Sequence, residues 1–514
     1  MEALLIVLFF ILVPLILLFL LKPKTKRLSA AGRLPPGPRN LPVIGSIHQL
    51  LRRQPTHYTF RDLSAVYGPI MRLRLGEIHT FIISSSEAAR EIMKTHDVFF
   101  ASRPLTPTVE IISYGGKDII VAPYGDFWRQ MRRLCTLELL SAKRVLSFRA
   151  IREEEISLLI RSISQSSGAA VDVSSKFSSL SNDITARAVI GGRSEDQKIF
   201  LSALEDVSRL SSSFSIFDLF PSMPRLLGLI ASHQLRRCCL KMDKILEKIV
   251  QAHKEKKKKN MNILQEGEIE EDLTDVLLKI QQDGGALQFP LSNDHVKAII
   301  NDMLMAGSET TSTTMEWAMS ELIRNPEVMK KAQSEVREVL KSKISSKALV
   351  SEELMSGKLS YLSSVINETL RLHPPAPLLL PRGNQEDCEV MGYMIPAGST
   401  VMVNAWAIGR DPNTWKEPEA FRPERFDMED RIELKRTNFE FIPFGAGRRS
   451  CPGIHFGMST VEMTLAYLLY YFDWRYANSA KGEKLDMTET FGVTIRRKHP
   501  LCLIATPHFP LLVV

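Results

Sequence analysis

Phe441-Ile442-Pro443-Phe444-Gly445-Ala446-Gly447-Arg448-Arg449-Ser450-Cys451-Pro452-Gly453 crowds one cysteine with three glycines, and an apolar run from Ile454 to Phe472 follows directly. Glycine lets a backbone pass close to a bulky flat ligand. The run behind has helical character, so Cys451 is predicted near the positive end of a helix, where a thiolate is favoured over a thiol. A thiolate pushes electron density onto a haem iron and favours cleavage of the oxygen–oxygen bond, a role histidine serves less well. Taken alone, a cysteine in a glycine loop is usually structural, so the surrounding pattern has to decide.

That pattern, Phe444-x-x-Gly447-x-Arg449-x-Cys451-x-Gly453, resembles the signature of the cytochrome P450 family without a mismatch. The resemblance implies haem b (iron protoporphyrin IX) as cofactor, with Cys451 as its axial metal ligand. It implies that Phe444 packs beside the sulfur and that Arg449 meets a haem propionate through charge-assisted hydrogen bonds. Upstream, Trp128-Arg129-Gln130-Met131-Arg132 is similar to the family's Trp-Arg segment. Trp128 and Arg132 share one helix face, and by resemblance both reach the propionates. Arg382 is a further propionate contact by family position.

Val296 to Arg324 is too long and too apolar on several faces for a surface helix, so it is predicted to run through the middle of the molecule. Inside it, Ala306-Gly307-Ser308-Glu309-Thr310-Thr311 places glycine, a carboxylate and hydroxyls where a core helix prefers leucine. Glycine there costs about 1 kcal/mol against alanine, and such local rule-breaking often marks function. Ala306 and Thr310 are one turn apart on the same face. A small residue beside a hydroxyl fits a reaction pocket, although a capped or kinked helix explains the motif as well. By resemblance to the family's Ala-Gly-x-Glu/Asp-Thr segment, Thr310 donates protons to dioxygen and Glu309 stands on the relay.

Glu368 and Arg371 stand at i and i+3 before His373-Pro374-Pro375 and can pair. Most such pairs are exposed and contribute at most about 1 kcal/mol. The following Phe421-Arg422-Pro423-Glu424-Arg425-Phe426 resembles the family segment whose arginine, here Arg425, completes a structural triad.

The rest of the body reads as mainly α with small β-sheets: helix periods at Ile151 to Ile163, Leu235 to His253, Val328 to Leu340 and Tyr361 to Leu372, and short strands at Ile70 to Leu75, Thr80 to Ile83 and Thr400 to Asn404. The charge-rich stretch between His253 and Asp272 is expected to be an exposed linker. The 514 residues, 44% hydrophobic and 24% charged, suit a large folded core. The six cysteines lack zinc-type or Cys-x-x-Cys spacing and are too few for a disulfide scaffold, so a reducing compartment is expected. The net charge of +8 is scattered in short runs, and no nucleic-acid partner is expected.

Ala3 to Leu21 is uncharged and nearly wholly apolar, long enough to cross a hydrocarbon core of roughly 30 Å. Basic residues follow the run rather than precede it, which favours an anchor over a cleaved signal and keeps the body cytosolic. The expected organisation is a transmembrane anchor at 1–21, a basic and proline-rich hinge at 22–45, and a single large haem-binding monooxygenase domain at 46–514 with the cytochrome P450 fold. The expected place is the endoplasmic reticulum membrane, crossed once.

The chain most resembles plant microsomal enzymes of specialised metabolism. The resemblance implies insertion of one oxygen atom from O2, with electrons from NADPH through an NADPH–cytochrome P450 reductase and a possible cytochrome b5. By family position the substrate contacts include Ile111, Val121, Met303, Ala306, Leu379 and Val493. Side chains this apolar favour a small lipophilic substrate in a membrane-lipid setting, a terpenoid first and an indolic or phenylpropanoid compound next. Several of them are equally explained as core. A haem-thiolate isomerase or dehydratase, and a non-catalytic membrane haem sensor, are the rivals; the Glu309-Thr310 pair weighs against both.

Overall fold

The computed structural model describes residues 32–509 except 52–53, 193–196, 213–215, 223–224, 262–270, 285–286, 342–350, 356, 427–438, 480–481, 491 and 493. The expected anchor, the first part of the hinge, and Val493 lie outside the described residues. Among the described residues no helix is long and apolar enough to cross a membrane.

The longer helices, numbered in chain order, are α1 (Thr56–Tyr67), α2 (Asp126–Leu134), α3 (Arg149–Gln165), α4 (Val173–Ile190), α5 (Gln197–Ser212), α6 (Arg225–Met261), α7 (Leu273–Asp283), α8 (Asn293–Arg324), α9 (Pro326–Lys341), α10 (Ser360–Leu372) and α11 (Ile454–Tyr471). Helix α8 begins with a reciprocal cap: Ser292 Oγ accepts the His295 N–H, and the His295 ring accepts the Ser292 N–H. This satisfies two otherwise orphaned donors. The helix then runs through the core between α4 and α11, with nearly every residue from Val296 to Leu304 and from Thr311 to Leu322 buried.

The strands are β1 (Ile70–Leu75), β2 (Ile78–Ile83), β3 (Ala170–Asp172), β4 (Arg382–Gly383), β5 (Cys388–Val390), β6 (Tyr393–Ile395), β7 (Thr400–Val403), β8 (Phe472–Tyr476) and β9 (Cys502–Pro507). They form a four-stranded sheet in the order β1-β2-β7-β4, a three-stranded β3-β9-β8 sheet and a β5-β6 hairpin. In the largest, β2 and β7 are parallel, with Thr80 opposite Thr400 and Ile83 opposite Val403. Alternation of side chains gives this sheet two buried faces. Phe81, Ile83, Val401 and Val403 pack on one side with Ile442 and Ala446, and Met71, Leu73, Ile82 and Met402 pack on the other with Phe60. The first of these faces is the bed on which the cysteine loop lies.

Two expectations change. The lysine-rich stretch after His253 is not a linker at its start, because α6 continues to Met261. Lysine and glutamate are good helix formers, and loss of apolar period marks an exposed helix here rather than an end. The proline-rich segment lies along the body: Pro36 O accepts from Arg72 N, Arg33 O from Met394 N, and Gly45 bridges to Leu75.

Candidate functional site

The cysteine loop is held from both sides. Ile442 and Ala446 are buried with Ile92, Met93 and the sheet, while Phe444 leans on the larger helical core. Inside the loop, Cys451 N–H donates to Phe444 O at 2.9 Å. Gly453 caps α11, and a side chain there would meet Cys451 Sγ at 3.9 Å. Gly447 is required by a protein contact. Its φ is +69°, and an added Cβ would lie 2.2 Å from Met93 O. The neighbouring Arg448 N–H is held by Asp97 at 2.8 Å. Proximity to a helix end does not by itself make Cys451 a thiolate. Burial pushes its thiol up, and the Gly453 amide and the Arg132 charge only partly oppose that.

Cations surround the loop. Arg132 donates to Ser450 O, and Arg382 donates to Ala446 O at 2.8 Å and to Asp97 at 3.1 Å. Arg449 donates to Ala101 O at 2.6 Å and to Ala122 O, and stacks 4.1 Å above the Trp128 ring. The Trp128 indole N–H donates to Ile119 O at 2.9 Å, and its ring lies under Arg449.

Arg103 joins this group without having been marked by the sequence. It donates to Leu380 O at 2.6 Å, Pro381 O at 2.8 Å and Ile120 O at 3.2 Å. Burial, then repulsion from Arg382 and Arg449, holds its guanidinium well below the usual arginine range. Burial and the Arg382 charge likewise lower Arg449, to about 9. Asp97 and Asp118 reach this group among the described residues, against the guanidinium groups of Arg103, Arg132, Arg382 and Arg449. A flat apolar body carrying carboxylates, seated against a cysteine, matches that donor set.

Helix α8 faces the loop across α11. A Cβ on Gly307 would lie 3.7 Å from Phe456, and one on Gly457 would lie 3.7 Å from Thr311 Oγ1. The glycine anomaly has a packing cause, since the same Cβ on Gly307 would stand 3.0 Å from Thr185 of α4. Next to it the buried helix opens: Ala306 is exposed, and Glu309 and Thr310 are half-buried. Thr310 Oγ1 donates to Ala306 O at 2.7 Å, which turns its oxygen into an acceptor. Glu309 is bound by Arg496 at 2.9 Å, a partner far along the chain that no local pattern marks.

Of the apolar positions, Met303 belongs to the main core, and Ile111 packs against it. Val121 is half-buried in the loop before α2. Leu379 takes φ +50°, rare for a branched side chain, and its Cδ1 lies 3.9 Å from where a Cβ on Gly445 would be. The triad is assembled on a buried pair: Arg371 holds Glu368 at 2.7 and 2.8 Å, and half-buried Arg425 reaches the same carboxylate at 3.2 Å.

Residues 35–503 match the cytochrome P450 family. The chain belongs to that family. This cytochrome P450 is 52% identical over 494 residues to desmethyl-deoxy-podophyllotoxin synthase of Sinopodophyllum hexandrum, spanning 96% of this chain and 95% of the relative. It is 48% identical over 499 residues to a melianol synthase of Citrus sinensis, again spanning 96% and 95%. Among solved structures, a zebrafish cytochrome P450 with progesterone superposes at a TM-score of 0.74 and 26% identity, covering 88% of this chain and 100% of that one. The cytochrome P450 is therefore a monooxygenase of a family that uses haem, a cysteine ligand and a redox partner, and its curated relatives are enzymes of plant specialised metabolism.

Proposed function

We propose that this chain is an NADPH- and O2-dependent haem-thiolate monooxygenase that hydroxylates a small lipophilic metabolite, a terpenoid first. The observation that carries the reading is the Cys451 loop bonded by half-buried Arg132 and buried Arg382, with buried Arg449 inside it and the accessible Ala306–Thr310 turn of α8 packed on the helix that follows it. Haem b, held by Cys451 with Arg103, Arg132, Arg382 and Arg449 toward its carboxylates, would supply reductive activation of dioxygen. The apolar walls at Ile111, Val121, Met303, Ala306 and Leu379 exclude water and select by shape rather than by hydrogen bonding. The identity to a melianol synthase supports a terpenoid. An indolic or phenylpropanoid substrate is the second reading, favoured by the 52% identity to a desmethyl-deoxy-podophyllotoxin synthase. We place the enzyme in the endoplasmic reticulum membrane with its body in the cytosol, on the apolar run of Ala3 to Leu21 and the basic residues after it. An NADPH–cytochrome P450 reductase is its electron donor.

The test is product formation from a panel of terpenes, indoles and phenolics in microsomes containing the reductase, with labelled dioxygen. One labelled oxygen atom per product, and none without NADPH, is the expected result. Product formed without NADPH would favour an isomerase or dehydratase.

In this scheme Thr310 gives up its bond to Ala306 O to deliver a proton, and Glu309, after leaving Arg496 and taking a proton from water, resupplies it. Thr310→Ala is expected to keep the haem spectrum and NADPH oxidation while product per NADPH falls by roughly 10²-fold, the low end for a positioned proton donor. Peroxide should account for the difference, and unchanged coupling would remove Thr310 from the relay.

Arg103 provides a second check. Its three backbone bonds, each worth about 1.5–3 kcal/mol when charged, are offset in the polypeptide by repulsion from Arg382 and Arg449. Bound carboxylates would cancel that repulsion. Arg103→Gln is therefore expected to lower the melting temperature of the haem-loaded protein more than that of the haem-depleted protein, and equal losses would argue against the cradle.

A further inference from the structure

Residues 107–117 form a strap between two fixed posts in the chain. Before it, Arg103 donates to Leu380 O and Pro381 O; after it, Ile119 N donates to Asp302 of α8 at 2.9 Å. The strap carries Ile111 on the helical turn Pro107–Ile112. Among the described residues, three polar bonds tie it to the rest of the body. Thr108 N donates to Asp218 at 3.0 Å, Tyr114 Oη to Asp243 Oδ1 at 2.9 Å, and Lys117 Nζ to Asp294 Oδ2 at 2.7 Å.

Two of these three ties converge on one ammonium. Lys297, buried on α8, donates to the same Asp243 Oδ1 at 2.7 Å and reaches Glu247 at 3.2 Å and Asp294 at 3.7 Å. Asp243 and Glu247 belong to α6, so the strap, α6 and α8 meet at a single positive charge. Its Nζ also stands 5.5 Å from the centre of the Tyr114 ring. With three carboxylates gathered around that Nζ, removing it leaves like charges close together. The backbone at the clasp is unusual as well. Tyr114 takes φ +53°, followed by Gly115 at +74° and Gly116 at +79°. Glycine adopts such a backbone freely and tyrosine does not, so the hydroxyl bond to Asp243 holds Tyr114 in a conformation it does not prefer.

We propose that Lys297 and Tyr114 are positioning residues that set the width of the reaction pocket, by clasping the strap 107–117 to α6 and α8 so that Ile111 stands as a fixed wall. The role of Ile111 rests on the haem-thiolate reading; the clasp does not. A ligand that fits inside the wall leaves the clasp closed. A bulkier one binds only when the clasp is open, and its apparent affinity is reduced by the small open fraction. Weakening the clasp therefore favours bulky ligands selectively instead of tightening all of them. The carboxylates are partly exposed, Asp243 at 35% and Asp294 at 45%, so salt weakens the clasp too.

The experiment uses the haem-loaded full chain and two azoles that bind iron through nitrogen: imidazole, too small to meet the wall, and the much bulkier clotrimazole. The ratio of their dissociation constants, clotrimazole over imidazole, is read from the Soret shift. It should fall about tenfold in Lys297→Met, the low end for one charge-assisted hydrogen bond. In Tyr114→Phe, which loses one hydroxyl and keeps the ring, it should fall about threefold. Raising salt from about 0.05 M to about 0.5 M should lower the ratio in the unaltered enzyme. An unchanged ratio in Tyr114→Phe, or in both variants, overturns the proposal. Amide hydrogen exchange in Tyr114→Phe should quicken at 107–117 and not at 119–122. Equal exchange in the variant and the parent overturns the clasp without reference to haem. Failure of the Cys451 assignment would show instead as a missing red-shifted carbon monoxide band and would leave the exchange difference in place.

Discussion

Replacing Cys451 with alanine is expected to erase the red-shifted Soret band of the reduced carbon monoxide adduct and to bring turnover to background. The polypeptide itself should survive the change. The bond that closes the loop runs from the Cys451 backbone N–H to Phe444 O and needs no sulfur. Ile442, Ala446 and the sheet beneath hold the loop independently. Burial favours the neutral thiol, and binding of a metal is what displaces its proton. Unfolding of the haem-depleted variant should thus stay within about 1 kcal/mol of the parent. A surviving red-shifted band would show that another group holds the iron. A collapse of the depleted protein would show that the side chain has a structural role.

The second large effect is expected at Arg371, which is fully buried. Its guanidinium grips Glu368 with two bonds and also donates to Gly409 O at 2.6 Å, Pro418 O at 2.7 Å and Ala420 O at 3.1 Å. Glu368 in turn accepts from Arg422 N at 2.8 Å and from Arg425 at 3.2 Å. Arg371→Leu takes two charged bonds from a buried carboxylate and removes the guanidinium from Gly409 O and Pro418 O, leaving Glu368 only Arg422 N and Arg425, at a cost of about 3–5 kcal/mol. Against total stabilities of about 5–15 kcal/mol, this should remove most of the folded, haem-loaded protein in expression and shift the urea midpoint steeply. Arg371→Lys should be nearly as damaging, because an ammonium cannot reach Glu368 and the carbonyls together. A midpoint unchanged in either variant would mean that the cluster is dispensable to the fold.

The helical class and the position of the long helices were legible because burial on one face imposes a period: Ile151 to Ile163 lies inside α3, and Tyr361 to Leu372 within α10. The continuation of α6 past His253 was hidden, since an exposed lysine-rich turn carries no apolar period. The cysteine loop was readable because its residue types are crowded into one short stretch. Arg103 and Arg496 were not, because each acquires its meaning from a segment brought in by tertiary folding. Gly307 was read as a functional anomaly, yet the neighbour that explains it is Thr185 on another helix.

The parallel pairing of β2 with β7 has a consequence for biosynthesis. A nascent chain that has emerged as far as β2 exposes an unsatisfied strand edge until residues 400–403 leave the ribosome. Long-range pairings of this kind form slowly, and the bed beneath the cysteine loop cannot close before then. Truncation products ending ahead of β7 should accordingly associate through that edge and require chaperone capture, whatever the state of the helices already made.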